Sequence, residues 1–261
     1  MRPRKSKPVR ERPEAFSIER SASITVLRFQ ALDMLAWSEL SLAGELWDFF
    51  ETEGRDPSPV VLMLAPPGLL DRRSLERLMR GSSDEDTRTD LELGGRIVRE
   101  ENMIHRLIEN IRGLDSFVVG GVCGEVALRA AAPFFACDYH IASSDSVFVN
   151  TTQDLPQVPL GCLPWLLTRM VGGAKTMQLL LDVPRLSAAD AHDLGLVNHV
   201  TAPDRFEEEA LEVARRIASL PRLTLVRLKR SIIASCENFS TYLESERRWT
   251  GRYGALHGKE T

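Results

Sequence analysis

Residues 172–200 read GGAKTMQLLLDVPRLSAADAHDLGLVNHV, and from Gly172 onward the pattern is almost wholly helical. Ser187-Ala188-Ala189-Asp190 places a hydroxyl at a helix N-cap and an acid three residues later. That is a capping box with Asp in place of Glu. Phe206 to Leu220 alternates charged and apolar faces, Pro221 opens a further helix, and 239–250 carries another. Upstream the period shortens. Cys137–Ala142 and Val147–Val149 read as strands, preceded by an Ala-rich helix around 126–135 and by Phe117-Val118-Val119, a buried strand closed by Gly120-Gly121. A polar loop at 82–90 precedes a long helix to about Arg112. Val60–Leu64 is another buried strand, ended by the turn Ala65-Pro66-Pro67-Gly68. Residues 36–52 carry Leu40, Leu46, Trp47 and Phe50 at helical spacing, and Phe16–Glu19 and Ile24–Phe29 are short and β-prone. Strands alternating with helices predict an α/β core followed by a helical C-terminal region.

The chain has 261 residues, 43% hydrophobic and 27% charged, the balance of a globular protein of one large domain or two small ones. Its formal charge of -4 lacks the basic footprint of a nucleic-acid binder. No apolar run reaches the roughly 18 residues of a bilayer span. The N-terminus lacks a signal peptide's apolar core, so a cytoplasmic location is expected. Residues 1–14, MRPRKSKPVRERPE, are too polar to offset their ordering entropy and are expected to form a disordered basic tail. Cys123, Cys137, Cys162 and Cys236 show no C-x-x-C spacing and read as reduced core thiols. The histidines are scattered, so no metal site is expected.

The stretch 172–200 resembles the crotonase (enoyl-CoA hydratase/isomerase) superfamily. Ser187, Ala188, Ala191, Gly195, Leu196, Val197, Asn198 and Val200 match its S-A-x-x-A-x-x-x-G-L-V-N-x-V pattern in register. Residues 137–148, CDYHIASSDSVF, resemble its C-D-x-x-I-A-x-x-x-A-x-F segment. The resemblance is strong over 137–235 and faint before 115. It implies a ββα spiral core, here 15–200, and C-terminal helices, here 201–261, that join subunits into a homotrimer or homohexamer. It also implies an acyl-CoA thioester as partner, with coenzyme A part of the substrate and no permanently bound cofactor.

In that family two backbone N–H groups grip the thioester oxygen, so that charge growing there is stabilised. Carried onto this chain, one donor falls at Arg73, in Asp71-Arg72-Arg73-Ser74-Leu75, and the other at Arg129. Gly124 matches the family's N-G, whereas the triple glycine has become Leu128-Arg129-Ala130. The hydratases' two glutamates fall at Ala132 and Thr152, and the dehalogenases' aspartate at Leu160; none of the three can titrate near neutral pH. Hydration and dehalogenation both lose their key groups. Asp154 is then the leading candidate base, with an exposed loop aspartate as the alternative. Glu125 is the second candidate, or a surface acid. Arg72, Arg73 and Arg77 are candidates for the CoA phosphates, or a solvated helix face. Trp165 and Met170 follow a run that replaces a glycine-rich family segment, and this bulk is expected to pack the core, with a narrowed or filled acyl pocket as the alternative. Isomerisation, thioester hydrolysis or decarboxylation fits these residues better than hydration, and a non-catalytic protein of the same fold is the alternative.

Overall fold

The computed structural model describes residues 16–30, 40–73, 90–151, 161–235, 240 and 243–244. Strands β1 (Phe16–Arg20), β2 (Ile24–Phe29), β3 (Val60–Ala65), β4 (Phe117–Val122), β6 (Tyr139–Ser143) and β9 (His199–Thr201) form one sheet in the order β1-β2-β3-β4-β6-β9. Only the β1–β2 hairpin is antiparallel; β2-β3-β4-β6-β9 run parallel. The crossovers include α1 (Leu40–Arg55) between β2 and β3, and α2 (Asp90–Gly113) between β3 and β4. A second sheet joins β5 (Glu125–Ala127), β7 (Val147–Val149) and β8 (Arg185–Ser187).

Strict alternation along the strands creates two cores, because successive side chains point to opposite faces. Leu27, Val61, Met63, Val118 and Val122 face Leu46, Phe49 and Phe50 of α1 and Ile104, Ile108 and Ile111 of α2. Ile24, Val26, Val60, Leu62, Leu64, Val119 and Ile141 face Ala210, Val213, Ala214 and Ile217 of helix Phe206–Ala218. The parallel strands are therefore continuous apolar runs covered on both sides.

Several expectations need correction. The strand at 117 does not stop at Gly120-Gly121 but runs through both to Val122. A Cβ on Gly120 would lie 2.8 Å from Cys137 Sγ, and one on Gly121 would lie 2.7 Å from Leu64 Cδ2, so the glycines admit neighbours rather than end the strand. The Ala-rich helix expected over 126–135 is three pieces: β5, a 3-10 turn Leu128–Ala131, and the four-residue helix α3 (Ala132–Phe135). Ladder pairing of Glu125–Ala127 with Val147–Val149 outcompetes the local helical preference. The region after Gly172 is not wholly helical either, because β8 and β9 interrupt it. Helices α4 (Leu163–Val171), α5 (Gly173–Leu181), α6 (Ala188–Asp193), α7 (Phe206–Ala218) and α8 (Arg222–Ala234) follow along the chain. Ser187 caps α6 as expected, its hydroxyl accepting the Asp190 N–H at 3.1 Å.

Helix α8 is fastened by a buried ion pair. Lys229 Nζ lies 2.9 Å from Asp138 Oδ2 and donates to the carbonyls of Ile111 (2.8 Å) and Ser116 (3.0 Å). Asp138 Oδ2 also accepts the Val118 N–H at 2.7 Å. All three ammonium donors are thus used. The 1–14 tail, the 82–89 loop and most of 239–250 lie outside the described residues.

Candidate functional site

A pocket of about 780 Å³, counted out to its open mouth, lies on the α1/α2 face of the large sheet. It sits at the carboxyl ends of the parallel strands, where α/β sheets bind ligands. Arg28 pairs with Leu64 and Ala65 with Val122, so the ends of β2, β3 and β4 share one level. Phe29, Met63, Ala65 and Val122 supply the sheet side of the wall. Leu46 of α1 and Met103, Ile104 and Leu107 of α2 cover it, and Ala130, Pro133 and Phe134 close the side nearest the 3-10 turn. Cys137 is the one titratable side chain among the described wall residues. Burial and the neighbouring Asp138 push its thiol far above the usual range, so it stays protonated.

The segment that the resemblance marks for an oxyanion hole adjoins this pocket. Gly124 has φ +72 and leads into β5, where a side chain would meet Pro67 at 3.2 Å. The Ala127 N–H donates to Leu70 O at 2.6 Å, which fixes the loop after β3 against the start of the 3-10 turn. The next residues, Leu128 to Ala130, begin that turn with no side-chain cap, and the first N–H groups of a helical turn lack intrahelical partners. Arg129 is buried there, and Ala130 lines the pocket. The loop backbone that meets this segment is at Leu70. Arg73 lies three residues further on and is exposed, and Arg72 beside it is half-buried.

The acid–base positions are placed as follows. Ala132 is wholly buried, and a Cβ on Gly161 would come within 3.5 Å of its methyl group and 3.0 Å of Ile104 Cγ2. Methyl, glycine and isoleucine thus meet beside the position to which the resemblance assigns the family's first glutamate. Glu125 does not line the pocket; its Oε2 accepts Arg185 Nη1 and Nη2, each at 3.4 Å, on the small sheet. Thr152, Asp154, Leu160 and Arg77 lie outside the described residues. His140 is a core residue: its Nε2 is 3.1 Å from Cys137 O, its ring is 5.1 Å from that of Phe134, and burial lowers its pKa to about 4. The Cys123 thiol lies 3.6 Å from Ala65 O, and burial, with Asp145 adding, raises its pKa to about 11, which removes it as a nucleophile.

Trp165 does not fill the pocket. It is buried between two guanidinium groups, Arg169 at 3.8 Å and Arg112 at 5.0 Å from the ring centre. Trp165 packs the core under α4, as the first of the two expectations for this bulk has it. Cys162, at the N-cap of α4, holds a left-handed φ of 63, following Gly161 at φ +80. Among the described residues no cluster of three His, Cys, Asp or Glu side chains is placed to hold a metal. Sequence reasoning overlooked Phe29, Leu46, Met63 and Met103 as pocket residues. Their signal was ordinary core periodicity, which does not tell a filled core from a hollow one.

The family model for enoyl-CoA hydratase/isomerase matches residues 99–255. A Rhizobium meliloti (strain 1021) protein named "Probable enoyl-CoA hydratase" is 37% identical over 144 residues, covering 53% of this chain and 51% of that protein. The 1,2-epoxyphenylacetyl-CoA isomerase of Escherichia coli (strain K12) is 30% identical over 148 residues, covering 56% of each. The chain spans about half the length of the curated relatives it matches. The crystal structure of an enoyl-CoA hydratase from Mycobacterium avium subsp. paratuberculosis K-10 shares the fold at a TM-score of 0.70 and 23% identity, covering 94% of this chain and 91% of that one. That of a Bacillus anthracis enoyl-CoA hydratase does so at 0.70 and 20%, covering 94% and 92%. These folds have the ββα spiral core that the family resemblance implied, and with more than half of its length matched by the family model, this chain belongs to the enoyl-CoA hydratase/isomerase family.

Proposed function

We propose that the chain binds the acyl group of a thioester, on coenzyme A or on a carrier protein, in the pocket at the carboxyl ends of β2, β3 and β4. Backbone N–H groups at the start of the Leu128–Ala131 turn, with a partner from the loop after β3, face the thioester oxygen. The observation that carries this is the apolar pocket whose wall includes Ala130, on the turn that the Ala127–Leu70 hydrogen bond holds against that loop. Donors fixed in a dry site stabilise an enolate or tetrahedral oxyanion without reorganising. Coenzyme A enters as part of the substrate, with Arg72 and Arg77 at its phosphates, and no cofactor is retained.

Ala132, at the position that the resemblance gives the first glutamate, is buried and cannot titrate, which supports a reaction other than standard hydration. Isomerisation, thioester hydrolysis and decarboxylation need only one proton-moving group beside the oxyanion. Asp154 is proposed for that role. Glu125 is the weaker candidate because Arg185 engages its carboxylate. A second reading, a non-catalytic acyl-binding protein, is favoured by the absence of any wall residue among those described that titrates near neutral pH.

Turnover on a panel of acyl-CoA esters separates the two. Crotonyl-CoA hydration is expected to be negligible, because each missing acid–base group costs roughly 10²- to 10⁴-fold. Asp154→Asn is expected to abolish whatever turnover the panel reveals while acyl-CoA binding persists. Undiminished activity in that variant removes Asp154 from the mechanism. Binding without turnover on every ester establishes the non-catalytic reading.

A further inference from the structure

We propose that the turn joining α7 to α8 docks the chain on the surface of an anionic phospholipid bilayer. Leu220 and Leu223 enter the headgroup layer, and Arg215, Arg216, Arg222 and Arg227 meet the lipid phosphates.

The first observation is a segregation of charge. Residues 213–236 hold six basic side chains and no acid, so the rest of the chain carries -10 against this segment's +6. Two of the six are engaged within the fold, Lys229 by Asp138 and Arg230 by Asp115 at 2.7 Å. The other four, Arg215, Arg216, Arg222 and Arg227, are exposed, and none of them forms an ion pair among the described residues. Elsewhere Arg28, Arg55, Arg185 and Arg205 each meet a carboxylate.

The second observation is apolar. Every residue from Ser219 to Thr224 is exposed, Leu220 by 50% and Leu223 by 59%. Burial resumes at Leu225, which shares a core with Ile217. At about 100° per residue, Leu228 and Ile232 stand about 60° and 20° from Leu225, whereas Leu223 and Arg227 stand about 160° from it. The leucines and arginines of the turn therefore form a surface distinct from the Leu228–Ile232 flank.

The fold sets which way this surface faces. A Cβ on Gly121 would meet Phe206 Cζ at 3.0 Å, so α7 starts near the carboxyl ends of the strands. It runs about 20 Å, and Ile217 near its end shares a core with Ile24 and Val60, the first residues of β2 and β3. The turn stands at the amino ends, opposite the pocket, and docking there leaves the pocket mouth open to solvent.

The chemistry selects the occupant. A second copy presenting the same turn would bring four arginines against four, which repel. Single-stranded nucleic acid is gripped by stacking bases on aromatic rings, and residues 213–236 contain no Phe, Tyr, Trp or His. A bilayer surface suits both features: leucines enter the acyl boundary, and the long arginine stems keep their charge among the headgroups. No described helix is long and apolar enough to cross a membrane, so the contact is with the surface.

Sedimentation of the full chain with vesicles of phosphatidylcholine, with and without phosphatidylglycerol, tests this. Binding to the anionic vesicles should be at least tenfold tighter than to the neutral ones. It should be released as salt shortens the Debye length from about 10 Å to about 3 Å. Each arginine near such a surface is worth about fivefold in affinity. Arg215→Gln with Arg216→Gln should therefore weaken binding at least tenfold. Leu220→Ser with Leu223→Ser should weaken it at least threefold at unchanged charge. These side chains are exposed, so circular dichroism should match the wild type. A third variant, Arg2, Arg4, Lys5 and Lys7 each changed to Gln, should lose less than either. Absence of binding, equal binding to both vesicle types, or loss in the third variant with the turn variants unaffected overturns the proposal. So does light scattering without vesicles if Leu220→Ser with Leu223→Ser breaks an assembly that the wild type forms, because a second copy then covers the turn.

Discussion

At the scale of single residues the question is what can carry a proton. Ala132, where the resemblance puts a carboxylic acid, is a wholly buried methyl group, 3.5 Å from where a Cβ on Gly161 would stand. His140 carries a cost of another kind. It lies among Phe134, Phe135 and the Cys137 carbonyl, and burial lowers its pKa from 6.5 to about 4. The folded state therefore holds the neutral ring between these values while the unfolded state binds a proton. His140 costs nothing above pH 6.5. As the pH falls from 6.5 towards 4, the unfolded chain gains protons first and stability is lost, by up to about 3 kcal/mol at the bottom of that window. Urea denaturation at pH 7.5 and pH 4.5 should show a smaller difference for His140→Gln than for the wild type. An equal difference in both proteins would assign the pH dependence to other groups.

At the scale of the element, α8 is held by a charge rather than by its apolar stripe. Its buried residues are Leu225 and Lys229. The ammonium of Lys229 meets Asp138 and the carbonyls at the end of α2 and the start of β4, so one side chain ties the last described helix to three earlier segments. Burial pushes the pKa of Asp138 up and that of Lys229 down, and the charge of each partner opposes the other's shift. Removing one member of such a pair leaves a buried charge without its counter-ion. Lys229→Met should lower unfolding stability by about 3 kcal/mol. The double variant Lys229→Met with Asp138→Asn should recover part of this, because the remaining amide is neutral. A double variant no more stable than the single one would mean that packing of the lysine stem matters more than its charge.

For the whole molecule, the question is what covers the apolar surface that the fold leaves outside. Met177 and Leu181 on α5, and Leu223, Leu228 and Ile232 on α8, are all more than half exposed, with Leu220 just before α8 half exposed. Leu228 and Ile232 are four residues apart on α8, so their exposed side chains are neighbours. Exposed apolar residues that form a contiguous patch usually mark an interaction surface. A homotrimer or a dimer of trimers is expected, and light scattering at micromolar concentration checks it. A clean monomer there would refute the assembly. If it forms, Leu228→Glu with Ile232→Glu should shift it towards smaller species while the circular dichroism of the fold persists.

Much of the architecture was legible in the residues because it depends on short-range order. The apolar run Val60–Leu64, the capping box at Ser187, the helix opened by Pro221 and the matched stretch 172–200 each involve neighbours in the chain. From them came the α/β class, the family and the absence of a titratable residue at position 132. Local patterns could not tell that Gly120-Gly121 continues a strand, because the reason is Cys137 on one side and Leu64 on the other. Nor could they tell that Glu125–Ala127 leaves the expected helix, because its partner is Val147–Val149. The same holds for the pocket. Phe29, Leu46, Met63 and Met103 have the periodicity of core residues, and only the separation between sheet and helices decides that they enclose a cavity. Charge followed the same division: Lys229 and Asp138 are 91 positions apart, and it is the tertiary fold that brings them within 2.9 Å and turns two ordinary surface-type residues into a buried clamp.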